Sequence, residues 1–273
     1  MDGTFVSLSQ LIITDADTVF ASTTIDTLAP GENVEVFGFF DEVIHEPRRP
    51  RPDRGELARA AAALAAADKP LIIAGGGVHW SEAEAELRSF ADRHNIPVVE
   101  TVAGRTSLPQ SHPLHAGTIG VTGCTSANAL AAEADVVLAV GTRLQDFATG
   151  SWTVFRNEAV RIVTINTARF DATKHLAVPV VADAREALTE LSSAVGDYRS
   201  NDDWSATCAS EVAQYHAYID KIAAPDDGVV SYAQVVGAVD RSKAPGDYAL
   251  AAAGGFPGEV NNGWRADEIN SFD

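Results

Sequence analysis

The chain has 273 residues, 46% of them hydrophobic, enough apolar mass to bury the core of one large domain. Its 20 Lys and Arg stand against 38 Asp and Glu, a formal charge of -18. A surface of that sign repels phosphate backbones and anionic lipid, which argues against nucleic-acid and membrane roles, and no apolar run approaches the roughly 18 residues of a membrane span.

Residues 1–52 are the least regular part. Val6–Ile13 has the composition of a strand, and the opening MDGTF lacks the positive charge that begins a signal peptide. Pro47, Pro50 and Pro52, interleaved with Arg48, Arg49, Arg51 and Arg54, predict an extended, solvated linker. From Asp53 the pattern sharpens. Asp53 with Glu56 resembles a capping box, and Leu57, Ala61 and Leu64 recur at helical spacing. The run Leu71–Gly77 reads as a buried strand ending in glycines. Ser81 with Glu84 reads as a second capping box, opening a helix that buries Leu87, Phe90 and Ala91.

The alternation continues through strands at 96–100, 135–141, 161–166 and 178–183, with helices at 126–134 and after Asp183. Short, continuously apolar strands separated by helices predict a doubly wound α/β domain with a parallel sheet over residues 53–196. Beyond Gly196, Trp204, Cys208, Val212, Tyr215, Ile219 and Ile222 share one helical face, so residues 197–230 read as a helical linker in which Cys208 is an inert packing thiol. The two cysteines, Cys124 and Cys208, lack CxxC spacing and fit a reduced, cytoplasmic setting. Ser231 with Gln234 caps a further helix, and residues 248–255 read as a strand entering a glycine turn. Residues 231–273 thus have the texture of the start of a second domain.

Three features carry chemistry, each beside a plainer reading. Gly75, Gly76 and Gly77 lie between a strand and a helix, where a dinucleotide places its phosphates, yet Trp80 stands at the third glycine of that fingerprint; a tight turn without ligand is the better account. Arg143, after Gly141 and Thr142, is either an anion contact at the carboxyl edge of the sheet or one half of an Arg143–Asp146 pair that pins the loop. His112 and His115 read as loop histidines, since no Cys or carboxylate completes a metal set beside them.

The strings KPLIIAGGGVHWSEA, GRTSLP, HPLHAGTIGVTG, GTRLQDF and AAGGFPGEVNNGW, in that order, resemble the thiamine-diphosphate enzymes, and within them the trihydroxycyclohexanedione hydrolases of myo-inositol catabolism, over about Glu35 to Arg265. The resemblance implies a Rossmann-like central domain, hydrolytic cleavage of a ring C–C bond in a small cyclic dione, and a thiazolium carbon that adds to a carbonyl. It implies thiamine diphosphate with Mg²⁺ in full-length members, which associate into oligomers, and in relatives such as acetohydroxyacid synthase a flavin on the central domain. On this likeness Gly255, Phe256 and Pro257 become cofactor-binding candidates, and Gly76 and Arg143 an alternative nucleotide site.

The departures are as informative. The family's activating glutamate has no counterpart, Tyr248 breaks the Gly-Asp-Gly metal motif at Gly246-Asp247, and Asn261 stands where relatives usually carry His. No catalytic and no metal-binding residue is assigned. The chain is expected to be an inactive fragment of such an enzyme that binds no cofactor alone. A nucleotide-binding or non-catalytic interaction module, or a fragment of an acetohydroxyacid-synthase-like enzyme, is the alternative.

Overall fold

Pro70–Ala74 and Val136–Val140 contain no polar side chain to turn toward water, so as strands they need both faces covered. A computed structural model describes residues 48–252 and 254–272, together with Thr4–Phe5 and Val34–Glu35. The first unit, Met1–Arg48, contains an antiparallel pair, β1 (Thr4–Phe5) and β2 (Val34–Glu35), with Thr4 opposite Glu35. The strand expected at Val6–Ile13 lies outside the described residues.

The second unit, Arg49–Asp273, runs α1 (Arg54–Ala65), β3 (Pro70–Ala74), α2 (Gly77–Trp80), α3 (Glu84–His94), β4 (Val98–Glu100), β5 (His115–Thr118), α4 (Thr125–Glu133), β6 (Val136–Val140), α5 (Asp146–Thr149), β7 (Arg161–Ile165), α6 (Arg169–Ala172), β8 (Val178–Val180) and α7 (Ala184–Val195). Then follow α8 (Asp202–Ile222), α9 (Tyr232–Ser242) and α10 (Gly255–Gly263). The sheet has six parallel strands in the order β5-β4-β3-β6-β7-β8. The doubly wound α/β reading is therefore correct. The chain builds outward from β3 to β5, then returns to lay β6 on the other side of β3.

Alternate residues of each strand feed two cores. Ile72, Ala74, Leu138, Val140, Val163 and Ile165 pack under α1, α3 and α7. Leu71, Ile73, Val137, Ala139 and Ile162 pack under α4 and α8, to which α8 contributes Trp204, Cys208, Tyr215 and Ile219. Burial pushes the Cys208 thiol up to about 12, in keeping with an inert packing role. No helix among the described residues is long and apolar enough to cross a membrane.

The caps divide. Asp53 and Asp183 accept from the first-turn amides of α1 and α7, and Ser231 with Gln234 forms a complete box on α9. Glu56 does not close the box at Asp53, because its carboxylate takes the Val181 amide at 2.8 Å. Ser81 is not the cap of α3. It ends α2, its hydroxyl faces the Ala184 amide, and Glu84 is drawn to His79 at 2.7 Å. The arginine stretch is largely exposed, as its composition suggests, but it is also anchored: Arg49 meets Asp183 and Glu82, and Arg51 meets Glu190, tying the run to α7. His115 belongs to β5 rather than a loop. Of the strand expected at 248–255, the described residues hold a single parallel bridge, Ala249 with Phe272.

His94, at the end of α3, is fully buried, with Nδ1 on the Tyr198 carbonyl at 2.7 Å and Nε2 beside the Ser192 hydroxyl at 3.0 Å. Desolvation holds its pKa below the ordinary histidine value. The unfolded chain then binds a proton that the folded chain refuses, so stability is complete above about pH 6.5 and is lost as pH falls through the unfolded value toward the folded one. Chemical denaturation between about pH 8 and 5.5 should show stability declining on the acid side, by at most about 1.4 kcal/mol per pH unit for this histidine, with a shallower decline in His94→Gln. An identical slope in the variant would remove His94 from the account.

Candidate functional site

β3 and β6 are neighbours although β4 and β5 separate them in sequence, so the loops leaving their carboxyl ends diverge to opposite faces of the sheet. Open α/β sheets place ligands in the crevice that this divergence creates. Here the crevice is a cavity of about 620 Å³, lined among others by Gly76, Trp80, Thr101, Thr142, Arg143 and Phe147. The structure thus brings Gly76 and Arg143 to one place. Arg143 is exposed, and its guanidinium lies 3.3 Å from the Gln145 side chain. It forms no ion pair with Asp146, so the loop is not pinned that way and the cation faces solvent at the rim.

The glycines on the crevice floor answer to packing. A Cβ on Gly77 would fall 2.6 Å from the Gly141 Cα, and one on Gly75 would fall 2.6 Å from the Gly141 carbonyl oxygen. Gly141 itself has φ 61, in the left-handed region. The Gly75 amide donates to the Val140 carbonyl at 2.8 Å and the Gly77 amide to the Gly141 carbonyl at 2.9 Å. Two of the three amides that would cradle a phosphate are therefore engaged within the fold, and α2 is only one turn long.

Glu100, the acidic residue at the end of β4, is 1% exposed. Its carboxylate accepts from the Thr106 and Leu108 amides at 3.2 and 2.9 Å and meets His115 Nε2 at 3.1 Å. This is the scaffold of the loop after β4, where Thr106, a β-branched residue, is held at φ 66. The carboxylate is turned inward, away from any ribose a crevice ligand would carry. His112 meets Asp92 at 3.0 Å, on the other side of the same loop. Among the described residues no group of three His, Cys, Asp or Glu side chains is placed to hold a metal ion.

Arg105, which the sequence reading passed over, is the centre of the loop. It is 6% exposed, and burial pushes its pKa down against the partial support of the Glu100 charge. Its guanidinium donates to the backbone carbonyls of Asn261 and Trp264 and lies 4.2 Å from the Phe272 ring centre. The Asn261 amide in turn donates to the Thr118 hydroxyl at 3.2 Å and the Thr122 carbonyl at 3.1 Å. A lone arginine inside the string GRTSLP has no periodicity to betray it; its only sequence signal is a charge among small residues before a proline. Gly255, Phe256 and Pro257 form the first turn of α10, after Gly254 at φ 138. They do not line the crevice, although Ala251, just before them, does. Phe256 is half-exposed and meets Tyr232 edge-on at 5.3 Å.

Over residues 57–191 the chain matches the family described as thiamine pyrophosphate enzyme, central domain. It is 35% identical over 259 residues to 3D-(3,5/4)-trihydroxycyclohexane-1,2-dione hydrolase 2 of Bacillus cereus, and 34% over 263 residues to hydrolase 1 of the same organism. It is 33% identical over 263 residues to the hydrolase of that name from Bacillus thuringiensis (strain Al Hakam). Each match takes in 86% of this chain and 40% of the relative, so the chain spans about 40% of the length of the curated relatives it matches.

The contact between Gly77 and Gly141 yields a discriminating test. Gly77→Ala should destabilise the fold by about 1–3 kcal/mol in urea unfolding, because the new methyl group meets backbone that cannot swing aside. A neutral substitution would mean that the loops are apart and would restore the glycine run as a ligand cradle.

Proposed function

We propose, given that this chain belongs to the thiamine pyrophosphate enzyme family through its central domain, that it provides the central domain of a thiamine-diphosphate-dependent hydrolase acting on a cyclic dione of the trihydroxycyclohexanedione type. The observation that carries this reading is the spread of the likeness. Identity of 33–35% to hydrolases of one name extends over 86% of the chain, well past the central-domain match at 57–191. In this reading residues 53–196 are the central domain, 197–230 connect it onward, and 231–273 open the cofactor domain. Myo-inositol catabolism, a cytoplasmic location and self-association belong to the same proposal.

The residues present fit the cofactor in part. The α10 N-terminus has no side-chain cap from Gly254 and open space around Gly255, as the diphosphate end would require. The Gly246-Asp247 turn does not complete the family's metal motif, since Tyr248 stands where the second glycine would be, and the Asp247 carboxylate accepts from the Ala244 amide at 2.7 Å. Thiamine diphosphate, when bound, contributes a carbon nucleophile for a carbonyl; this chain's own residues contribute the scaffold, with Glu100 and Arg105 holding the loop against which α10 rests. On this reading the chain alone neither holds the cofactor nor turns over the dione.

A second reading is favoured by the crevice at the β3/β6 junction, whose volume and exposed Arg143 suit a nucleotide such as a flavin. The engaged Gly75 and Gly77 amides and the inward Glu100 weigh against it. Calorimetry of the purified chain with thiamine diphosphate and Mg²⁺, and separately with flavin nucleotide, separates the two. The expected result is no Mg²⁺-dependent heat and no flavin binding. Saturable Mg²⁺-dependent uptake of thiamine diphosphate would overturn the claim of incompetence, and flavin uptake that Arg143→Ala abolishes would establish the second reading.

A further inference from the structure

The contacts that seat the C-terminal segment differ in kind from those that build the sheet. Its apolar cluster is small: Ala249, Trp264, Ala266 and Phe272, with Ala251 and Val260 packed against it. Large apolar side chains of the same region remain exposed, among them Val235, Val239 and Leu250. Residues 261–267 are fixed by a row of polar contacts with the loops after β4 and β5 and with α8 and α9, where the Arg265 amide donates to Asp240 at 2.9 Å and its guanidinium meets Asp220. The Gln110 amide donates to the Ala266 carbonyl at 3.1 Å, and the Ala266 amide returns a bond to the Gln110 side chain at 3.0 Å. The Ser111 amide donates to Asp267 at 2.7 Å, and the Tyr215 hydroxyl, from α8, donates to the Asn262 carbonyl at 3.0 Å.

Arg105 is the buried cation of that row. Every hydrogen-bond partner of its guanidinium lies in the C-terminal segment: the Asn261 carbonyl, the Asn261 side chain at 3.4 Å, and the Trp264 carbonyl at 2.9 Å. No carboxylate comes within ion-pair distance of it among the described residues. The two carbonyls belong to the end of α10, where helix oxygens lack intrahelical donors and the helix dipole is negative. A cation contributed by a distant loop satisfies both needs at once. With α10 lifted away, the guanidinium would exchange these fixed carbonyls for water.

We infer that Arg105 is a latch: its guanidinium caps the C-terminal end of α10, and this one contact decides whether the segment Ala249–Phe272 is seated on the α/β unit. The sheet folds without the latch, but the segment docks only with it. Because Thr101, Val102 and Ala103, in the same loop, line the β3/β6 crevice together with Ala251 of the segment, latch and crevice wall move together. The inference is independent of which cofactor, if any, the enzyme uses.

Hydrogen exchange read by mass spectrometry on the full chain tests it. In Arg105→Met the amides of Val260–Trp264 should exchange roughly tenfold faster or more, the scale of losing charge-assisted bonds, while β3 and β6 keep their protection. In Arg105→Ala, millimolar guanidinium ion should restore protection at Val260–Trp264, and sodium at equal ionic strength should not. That rescue is a response that general loosening of the core would not give. Equal protection in variant and parent would overturn the latch, as would loss spread evenly over β3 and β6. Should both Arg105 variants fail to accumulate, Phe272→Ala removes the ring beneath the guanidinium and should raise exchange at the same amides. No rise there would likewise overturn the proposal.

Discussion

Gly77 and Gly141 meet backbone to backbone where β3 and β6 lie side by side, and neither position has room for a methyl group. That contact lets the loops from two adjacent strands cross at close range before parting to opposite faces. The crevice, the rim position of Arg143 and the wall formed by the loop after β4 all follow from it. A glycine run at this place in an α/β sheet invites a phosphate-binding interpretation, and here the same residues are needed for chain-to-chain approach. The two demands compete for the same amides, and the fold has taken them.

The loop after β4 shows a different economy of polar groups. Glu100 is buried with two amides and a histidine around its carboxylate, and its charge also lies near enough to support the Arg105 cation. Arg105 is buried five residues later with carbonyls and an aromatic ring around it. Each charge fixes one side of the loop: Glu100 ties it to the sheet, Arg105 ties it to α10. The loop is therefore the mechanical joint between the α/β unit and the C-terminal segment.

How much of this was legible in the sequence depends on whether an element announces itself locally. β3, β6, α1 and α7 do, through unbroken apolar runs and Asp caps whose geometry is set within four residues. β5 does not, because His-Ala-Gly-Thr has neither alternation nor β-branched density and becomes a strand only through pairing with β4. Ser81 and Glu84 satisfied a capping pattern that tertiary partners, Ala184 and His79, then claimed. Gly76 and Arg143 were placed at the same sheet edge by reasoning from strand ends. Arg105 was missed because its partners stand over 150 residues away, and no local pattern encodes them.

Trp204 reaches across from α8 to donate to the Pro70 carbonyl at 2.8 Å, while Lys69 sits over its ring. With Cys208, Tyr215 and Ile219 it seals the second face of a sheet whose family-matched domain ends at residue 191. Each such side chain is worth roughly 2 kcal/mol of burial. The unit of homology and the unit of folding are therefore different lengths of chain. A polypeptide cut at the first boundary would keep every strand and α4 yet lose the α8 side of the core over Leu71, Ile73 and Val137, leaving an adhesive apolar surface on an otherwise complete sheet.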